Sequence, residues 1–439
     1  MRAALINPKG ALFSRTPSLA VFLEQSVTMG SFRHFWSAPC LGLLSIAAYF
    51  PPDWELDYFD ENQRPVSFEK DYDLVFISAM TVQAVRAYQL ADEFRRRGAK
   101  VVMGGIHATL LPEEAMTHAD VVIAGEGEPL FPQFLQDYAK GKTRRVYREA
   151  LPGSYDLKQC ISPRYALLKG WNYPIINLYT TRGCPRRCRF CCASNVYGTA
   201  YRRKANAQII EEIREITRLF PDELLLFADD NLFVRRRESK ELLREMIPLN
   251  VRWIAQTEIS IAEDSELLEL MAASGCQWIV VGFESVSPDS LKGIEDRSFK
   301  KRRLPAYPAN IRRIQDEGIG IYGTFIVGLD GDDLSIFQRT ADFILQNALY
   351  GANITVPTPL PGTALREEML KEGRILEKGW DNYTLWDVVA SPRAMTVQEL
   401  EDGLLGLYRT ISDPRNAQER LCAILRQRRT YAAKRGGPT

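Results

Sequence analysis

Short apolar runs alternate with amphipathic stretches through most of this chain. Ala3–Asn7, Glu55–Asp60, Leu74–Ser78, Lys100–Met103 and Val121–Ala124 read as strands. Between them Leu41–Tyr49 and Val82–Arg97 read as helices, and Phe131–Tyr138 closes the unit as another. Strands alternating with helices predict a doubly wound parallel sheet over residues 1–150, with ligands outside the carboxyl ends of its strands. Residues 151–173 hold Pro152, Gly153, Pro163 and Gly170 and read as a connector.

The alternation restarts over residues 174–375. Strands are predicted at Ile175–Thr180, Glu223–Phe227, Val251–Gln256, Trp278–Phe283, Ile319–Val327 and Asn353–Val356. Helices are predicted at Asn206–Phe220, Ser239–Ile247, Ser265–Ala273, Pro305–Glu317 and Ser335–Asn347. These repeats are too few for a closed eight-fold barrel and predict an open, partial (β/α)6 barrel. Residues 376–439 form a small helical region. Trp380, Tyr383 and Trp386 lie in an aromatic loop, and Thr396–Ile411 reads as a helix with a capping-box start at Thr396 and Glu399. An Arg-rich tail fades into Gly436-Gly437-Pro438 and reads as a solvated helix followed by disorder. Ordinary packing is expected for the aromatic loop.

Composition narrows the function. The 439 residues carry 56 Lys plus Arg against 55 Asp plus Glu, a net charge of +1 that gives no footprint for nucleic acid. No stretch is long and apolar enough for a transmembrane helix, and the start lacks a signal-peptide pattern, so a cytoplasmic protein with reduced thiols is expected. Eight Cys are too sparse for a disulfide scaffold, and three His limit any function built on histidine ligands.

Four of those eight Cys fall together in Cys184-Pro-Arg-Arg-Cys188-Arg-Phe-Cys191-Cys192, directly after a predicted strand. A zinc ribbon needs a second ligand pair at a distance, and a lone CxxC leaves the third Cys unexplained. Thiolates in this number suit an iron–sulfur cluster, and three of them for four irons leave one iron open for catalysis. Arg186, Arg187 and Arg189 are expected to stabilise the negative charge. Cys192, Cys40, Cys160, Cys276 and Cys422 read as packing residues. Asp229, Asp230 and Asn231, then Glu258, Glu284 and Asp330, follow four successive strands and argue for a site at one end of the barrel. In the first sheet Gly104-Gly105-Ile106-His107-Ala108-Thr109 forms a Gly-rich turn where backbone can approach a ligand, with a loop hydrogen bond expected for His107 ahead of a metal role.

The CxxxCxxC spacing after a strand, with Phe190 beside the third Cys, resembles the signature of the radical SAM superfamily. The resemblance implies a [4Fe–4S] cluster on Cys184, Cys188 and Cys191, with S-adenosylmethionine (SAM) chelating the open iron and cleaved to a 5′-deoxyadenosyl radical. It implies SAM contacts from Asp229, Asp230 and Asn231 (ammonium), Glu284 (ribose) and Gly328 (adenine), with Glu258 contacting carboxylate or substrate. Asp-Asp-Asn stands here where many members have Gly-Gly-Glu. The region before the barrel resembles the cobalamin-binding domain of B12-dependent members, which implies cobalamin contacts at Ser78, Thr81, Gly104, Gly105, His107, Gly125 and Glu126. The DxHxxG motif that supplies an axial His elsewhere is absent from Asn7-Pro8-Lys9-Gly10, implying cobalamin without a protein His.

The activity so implied is cobalamin-dependent methylation of an unactivated carbon. The alternative is radical cyclisation, rearrangement, epimerisation or coupling without methyl transfer. The expected partners are a small-molecule, lipid or natural-product substrate and an electron donor such as flavodoxin or ferredoxin. The sequence names no catalytic side chain.

Overall fold

The computed structural model describes residues 1–26 and 37–434, and two parallel six-stranded sheets form its frame. The first holds β1 (Arg2–Asn7), β2 (Glu55–Asp60), β3 (Leu74–Ser78), β4 (Lys100–Gly104), β5 (Val121–Ala124) and β6 (Val146–Arg148) in the order β2-β1-β3-β4-β5-β6. The central strands are buried almost end to end, because helices cover both faces of the sheet. Strand order reverses between β1 and β3, which opens a crevice at the carboxyl ends of those strands, beside Asn7 and Ser78. The sequence pattern predicts five of these strands; β6, held by pairing to β5, is too short to show a period.

Among the described residues the helices of this half are α1 (Pro17–Gln25), α2 (Leu41–Ala47), α3 (Ala84–Arg96), α4 (Gly105–Leu110), α5 (Pro112–His118) and α6 (Gly127–Ala139). The predicted Gly-rich turn is thus the start of a helix. Gly105 has φ +88°, and a Cβ there would lie 2.7 Å from the Ala79 backbone nitrogen, so only glycine lets β4 turn straight into α4.

The second sheet holds β7 (Ile175–Leu178), β10 (Leu224–Phe227), β11 (Trp253–Thr257), β12 (Cys276–Glu284), β13 (Gly320–Ile326) and β14 (Gly351–Thr355), in the order β14-β13-β12-β11-β10-β7. It is the open six-repeat barrel expected. After β7 a separate antiparallel ribbon pairs β8 (Thr181–Arg182) with β9 (Arg202–Arg203), and the cysteine segment lies between its strands. Next come α7 (Ala193–Tyr197), α8 (Asn206–Leu219), α9 (Arg236–Met246), α10 (Ser265–Ala273), α11 (Phe299–Arg303), α12 (Tyr307–Asp316) and α13 (Ile336–Gln346). In α8 the spacing of Ile209, Ile213 and Ile216 lays one apolar stripe on the core.

One hydrophobic cluster runs through both halves, joining Leu5, Phe76 and Phe131 to Tyr165, Leu178 and Phe227. Polar bonds register the contact. The Tyr173 hydroxyl donates to Asp60 Oδ2 at 2.6 Å, and Asn177 Nδ2 donates to the Pro39 carbonyl at 3.0 Å.

The C-terminal helices are α14 (Ala364–Lys371), α15 (Val397–Ser412) and α16 (Pro414–Lys434). α15 opens with the predicted capping box of Thr396 and Glu399. Its Tyr408 hydroxyl donates to the Ile354 carbonyl and accepts from the Ile354 N–H, fastening α15 to β14. The aromatic loop packs as expected: Tyr383 and Trp386 are buried, and Trp380 Nε1 donates to Glu114 Oε1 at 2.9 Å. Gly436-Gly437-Pro438 lie outside the described residues, among which no helix is long and apolar enough to cross a membrane.

A single carboxylate ties the two ends of the chain together. Buried Asp387 accepts from Ser14 Oγ, Arg15 N, Thr16 N, Thr16 Oγ1 and Thr384 Oγ1 at 2.6–3.0 Å. Hydrogen bonds to a charged acceptor contribute about 1.5–3 kcal/mol each and are not additive. Asp387→Ala is therefore expected to cost roughly 3 kcal/mol, read as a fall of several degrees in the thermal unfolding midpoint.

Candidate cofactor site

The carboxyl ends of the two sheets face each other. α4, at the end of β4, packs on α7, which follows the cysteines. A Cβ at Gly362, in the Pro359–Thr363 turn, would come within 2.9 Å of Leu110 Cδ2. The residues predicted for one cofactor are thereby brought near those predicted for the others.

Cys184, Cys188 and Cys191 are free, half-buried thiols on one loop. The loop is stitched on both sides at Arg189, whose N–H donates to the Ile294 carbonyl and whose carbonyl accepts from Leu365 N, both at 3.0 Å. Burial pushes the thiols upward, Cys188 to about 12. Of the three flanking arginines, Arg186 counters this at Cys184 as expected, but burial outweighs it. Arg186 is held by Glu258 through two bonds of 2.7 Å and lies 3.5 Å over the Phe299 ring. Arg189 pairs with Glu368, and Arg187 is exposed. Charge shared with a carboxylate does less for a thiolate, so cluster binding would have to displace the thiol protons.

The donor set fits an iron–sulfur cluster. Among the described residues no three His, Cys, Asp or Glu side chains converge as for a single ion. A four-iron cluster takes one thiolate per iron and so suits sulfurs spread along a loop.

The acidic strand ends divide into two kinds. Asp229 is fully buried and accepts from the N–H and hydroxyl groups of both Thr180 and Thr181, so it shapes the entry to the cysteine loop and is not open to a ligand. Its neighbour Asp230 is exposed among the cysteines, and the protein crowded around its base together with the Asp229 charge raises it to about 6. Asn231 is buried against Thr257. Glu258 is spent on Arg186 and Ser260, which corrects its expected role as a ligand contact. Glu284 sits in the left-handed region at φ +65° and is held 3.1 Å from buried Lys300 Nζ. Such a conformation is uncommon for a residue with a side chain and recurs at ligand sites. Asp330 pairs with Arg374 and Arg393 at the surface.

Beside the third cysteine a cleft is lined by Phe190, Ile294, Leu329, Gly331, Pro357 and Met369. Its floor is fixed by Asp332, which accepts from the N–H groups of Gly328 and Leu329 and from Ser290. The sequence reading missed Asp332 and Lys300. Asp332 lies two residues past Asp330 with nothing local to set it apart, and Lys300 lies in the basic stretch Lys300-Lys301-Arg302-Arg303.

On the first sheet, Gly104, Gly105 and Gly125 leave backbone uncovered at the strand ends, and Ser78 is half-exposed there. His107 is fully buried, with Thr81 on Nδ1 at 3.3 Å and Tyr88 on Nε2 at 3.0 Å, and its role is a structural hydrogen bond. Thr81 is thereby occupied as well. His118 pairs with Asp92, and His34 lies outside the described residues. Glu126, expected at the cofactor, instead turns its carboxylate into ion pairs with Arg182 and Arg202. Backbone and hydroxyl groups without a free imidazole still fit a corrin held by its periphery.

The Radical SAM superfamily matches residues 178–344, and a B12 binding domain matches residues 37–135. The bacteriochlorophyllide d C-12(1)-methyltransferase of Chlorobaculum tepidum is 31% identical over 84% of this chain and 82% of its own. The chain belongs to the cobalamin-dependent radical SAM family. The bacteriochlorophyllide d C-8(2)-methyltransferase of the same organism is 28% identical over 80% of this chain and 79% of its own. In fold the chain is similar to the radical S-adenosylmethionine methyltransferase TsrM from Kitasatospora setae, solved with cobalamin and a [4Fe–4S] cluster. The TM-score is 0.69 at 16% identity, covering 95% of this chain and 90% of that one. As a member of the family the chain is a radical SAM methyltransferase with a [4Fe–4S] cluster, SAM and cobalamin as cofactors.

Asp332 gives a pH test of the cleft floor. Burial raises its carboxyl from 3.8 to about 6, so folding favours the protonated form. That contribution is complete below the unfolded value and is lost as pH rises through the folded one. The unfolding midpoint of the wild type is expected to fall relative to that of Asp332→Asn across roughly pH 4 to 7, measured by thermal melts at each pH.

Proposed function

We propose that this methyltransferase acts on an unactivated peripheral carbon of a cyclic tetrapyrrole, with Cys184, Cys188 and Cys191 as the ligands of its cluster. The substrate class is carried by one observation: the two methyltransferases compared above, 31% and 28% identical, both act on bacteriochlorophyllide d. The anaerobic magnesium-protoporphyrin IX monomethyl ester cyclase of Cereibacter sphaeroides, 26% identical over 87% of this chain, also acts on such a macrocycle.

When bound, the cluster and SAM supply a 5′-deoxyadenosyl radical and cobalamin carries the methyl group. The chain's own residues hold and orient. The apolar cleft of Phe190, Leu329 and Pro357, beside Gly328, suits a flat base, and Glu284, braced by Lys300, offers a carboxylate to ribose hydroxyls. Asp230 is the acid left free beside the cysteines for an ammonium group, with Asn231 next to it. Ser78, Gly104, Gly105 and Gly125 form the wall for the corrin, and His107, Thr81 and Glu126 stiffen that wall from behind.

The same reading divides the chain into a cobalamin unit (1–150), a connector (151–173), the barrel (174–375) and a helical C-terminal region (376–439). Eight unpaired cysteines suit the reducing cytoplasm, and a flavodoxin or ferredoxin would supply single electrons.

Anaerobic incubation with deuterated-methyl SAM and a chlorophyllide acceptor is expected to give labelled product together with 5′-deoxyadenosine. 5′-Deoxyadenosine without label in any product would sink methyl transfer, and label confined to other acceptor classes would sink the tetrapyrrole reading. Cys184→Ala, Cys188→Ala and Cys191→Ala are each expected to lower bound iron at least about tenfold after reconstitution, whereas Cys192→Ala retains it.

A further inference from the structure

The cysteine loop, residues 183–201, leaves and re-enters the fold through the β8–β9 ribbon, where Arg182 pairs directly opposite Arg202. Like charges opposite each other in an antiparallel pair repel. The neck is also tight: Gly183 has φ +87°, and a Cβ there would fall 2.3 Å from the Ala200 carbonyl oxygen. In and beside the loop the two guanidinium groups find only neutral partners: Arg202 donates to the Tyr197 carbonyl at 2.8 Å and to that of Tyr155 at 2.9 Å, and Arg182 lies 5.2 Å from the Tyr179 ring.

The countercharge comes from the other half of the molecule. Arg182 is 7% exposed; it donates to Glu126 Oε2 at 2.7 Å and forks onto Glu128 at 2.6 and 3.0 Å. Arg202 pairs with the second oxygen of Glu126 at 2.7 Å. Both carboxylates are buried, Glu126 at the N-cap of α6 and Glu128 in its first turn, where the helix dipole favours negative charge. Burial alone would raise Glu128, but Arg182 overrides it and holds the carboxyl at about 2. The turn that carries these glutamates, Gly125–Glu128, ends β5 at the mouth proposed for cobalamin.

We infer that Glu126, Glu128, Arg182 and Arg202 form an interdomain clamp by which the cobalamin-binding half sets the position of the cluster loop. The four are positioning residues, not catalytic ones. The clamp rests on the assignment of the cluster to this loop. Its bidentate fork, not charge alone, fixes the loop, because lysine cannot bridge two carboxylates in one plane.

Removing one member would strand a buried charge and threaten folding, so the decisive variant is the double Glu128→Gln/Arg182→Met, which removes charge on both sides at similar volume. It is compared with Arg182→Lys and wild type, all full-length and reconstituted with iron, sulfide and hydroxocobalamin. The double variant is expected to speed amide exchange across 183–201 at least about tenfold while β11 to β13 keep their protection. In both variants the electron paramagnetic resonance spectrum of the reduced, SAM-bound cluster is expected to broaden. Methyl product per 5′-deoxyadenosine is expected to fall about tenfold, and lysine is not expected to rescue it. Unchanged exchange in 183–201, or full rescue of the spectrum by lysine, would overturn the clamp. A wild type that forms 5′-deoxyadenosine but no methylated product would overturn the proposed function instead, with the clamp still judged by exchange and resonance.

Discussion

A buried guanidinium needs acceptors in place of its water, and Arg182, held by two carboxylates, lies buried at the meeting of the two sheets. Its partners stand on α6, it stands on β8, and the cysteines begin two residues later. The start of α6, the neck of the cysteine loop and the connector, whose Tyr155 carbonyl accepts from Arg202, are therefore settled together. Loops that carry function usually rest on one rigid scaffold. Here the scaffold is shared between two.

The same sharing explains the apolar interior. Parallel strands buried on both faces need cover, and each half supplies part of the cover for the other through the cluster that joins Phe131 to Leu178. Polar groups cross the boundary only where they are satisfied, as with Tyr173 on Asp60. The surfaces that remain open are the strand ends, which is where backbone glycines, a half-exposed serine and three half-buried thiols collect.

The frame was legible in the sequence because period and turn chemistry are local. So was the cysteine triad, which lies within one segment. Choice among neighbours was not legible. Asp229 and Asp230 are adjacent and identical in type, yet one caps two threonines and the other faces the cysteines; the alternation of a strand end decides which, and a loop hides that phase. The ion pair of Arg182 with Glu126 spans 56 residues and that of Arg186 with Glu258 spans 72. Long-range partners leave no trace in a local pattern. Arg186 and Glu258 therefore both looked like cofactor residues when each was satisfying the other. His107 is the converse, a residue whose ordinary hydrogen-bonding role could be expected from its place in a turn.

The Asp387 knot bears on how the molecule comes into being. Ser14 and Asp387 are 373 positions apart, and at about 5–20 residues per second a ribosome needs tens of seconds to make that stretch. During that time the hydroxyl and amide donors of residues 14–16 lack the Asp387 carboxylate and bond to water, and the Phe13 ring lacks Trp386. The amino-terminal sheet can form early, but the molecule closes only after residue 387 has left the ribosome. The joint between residues 14–16 and Asp387 is thus among the last contacts of the fold to form.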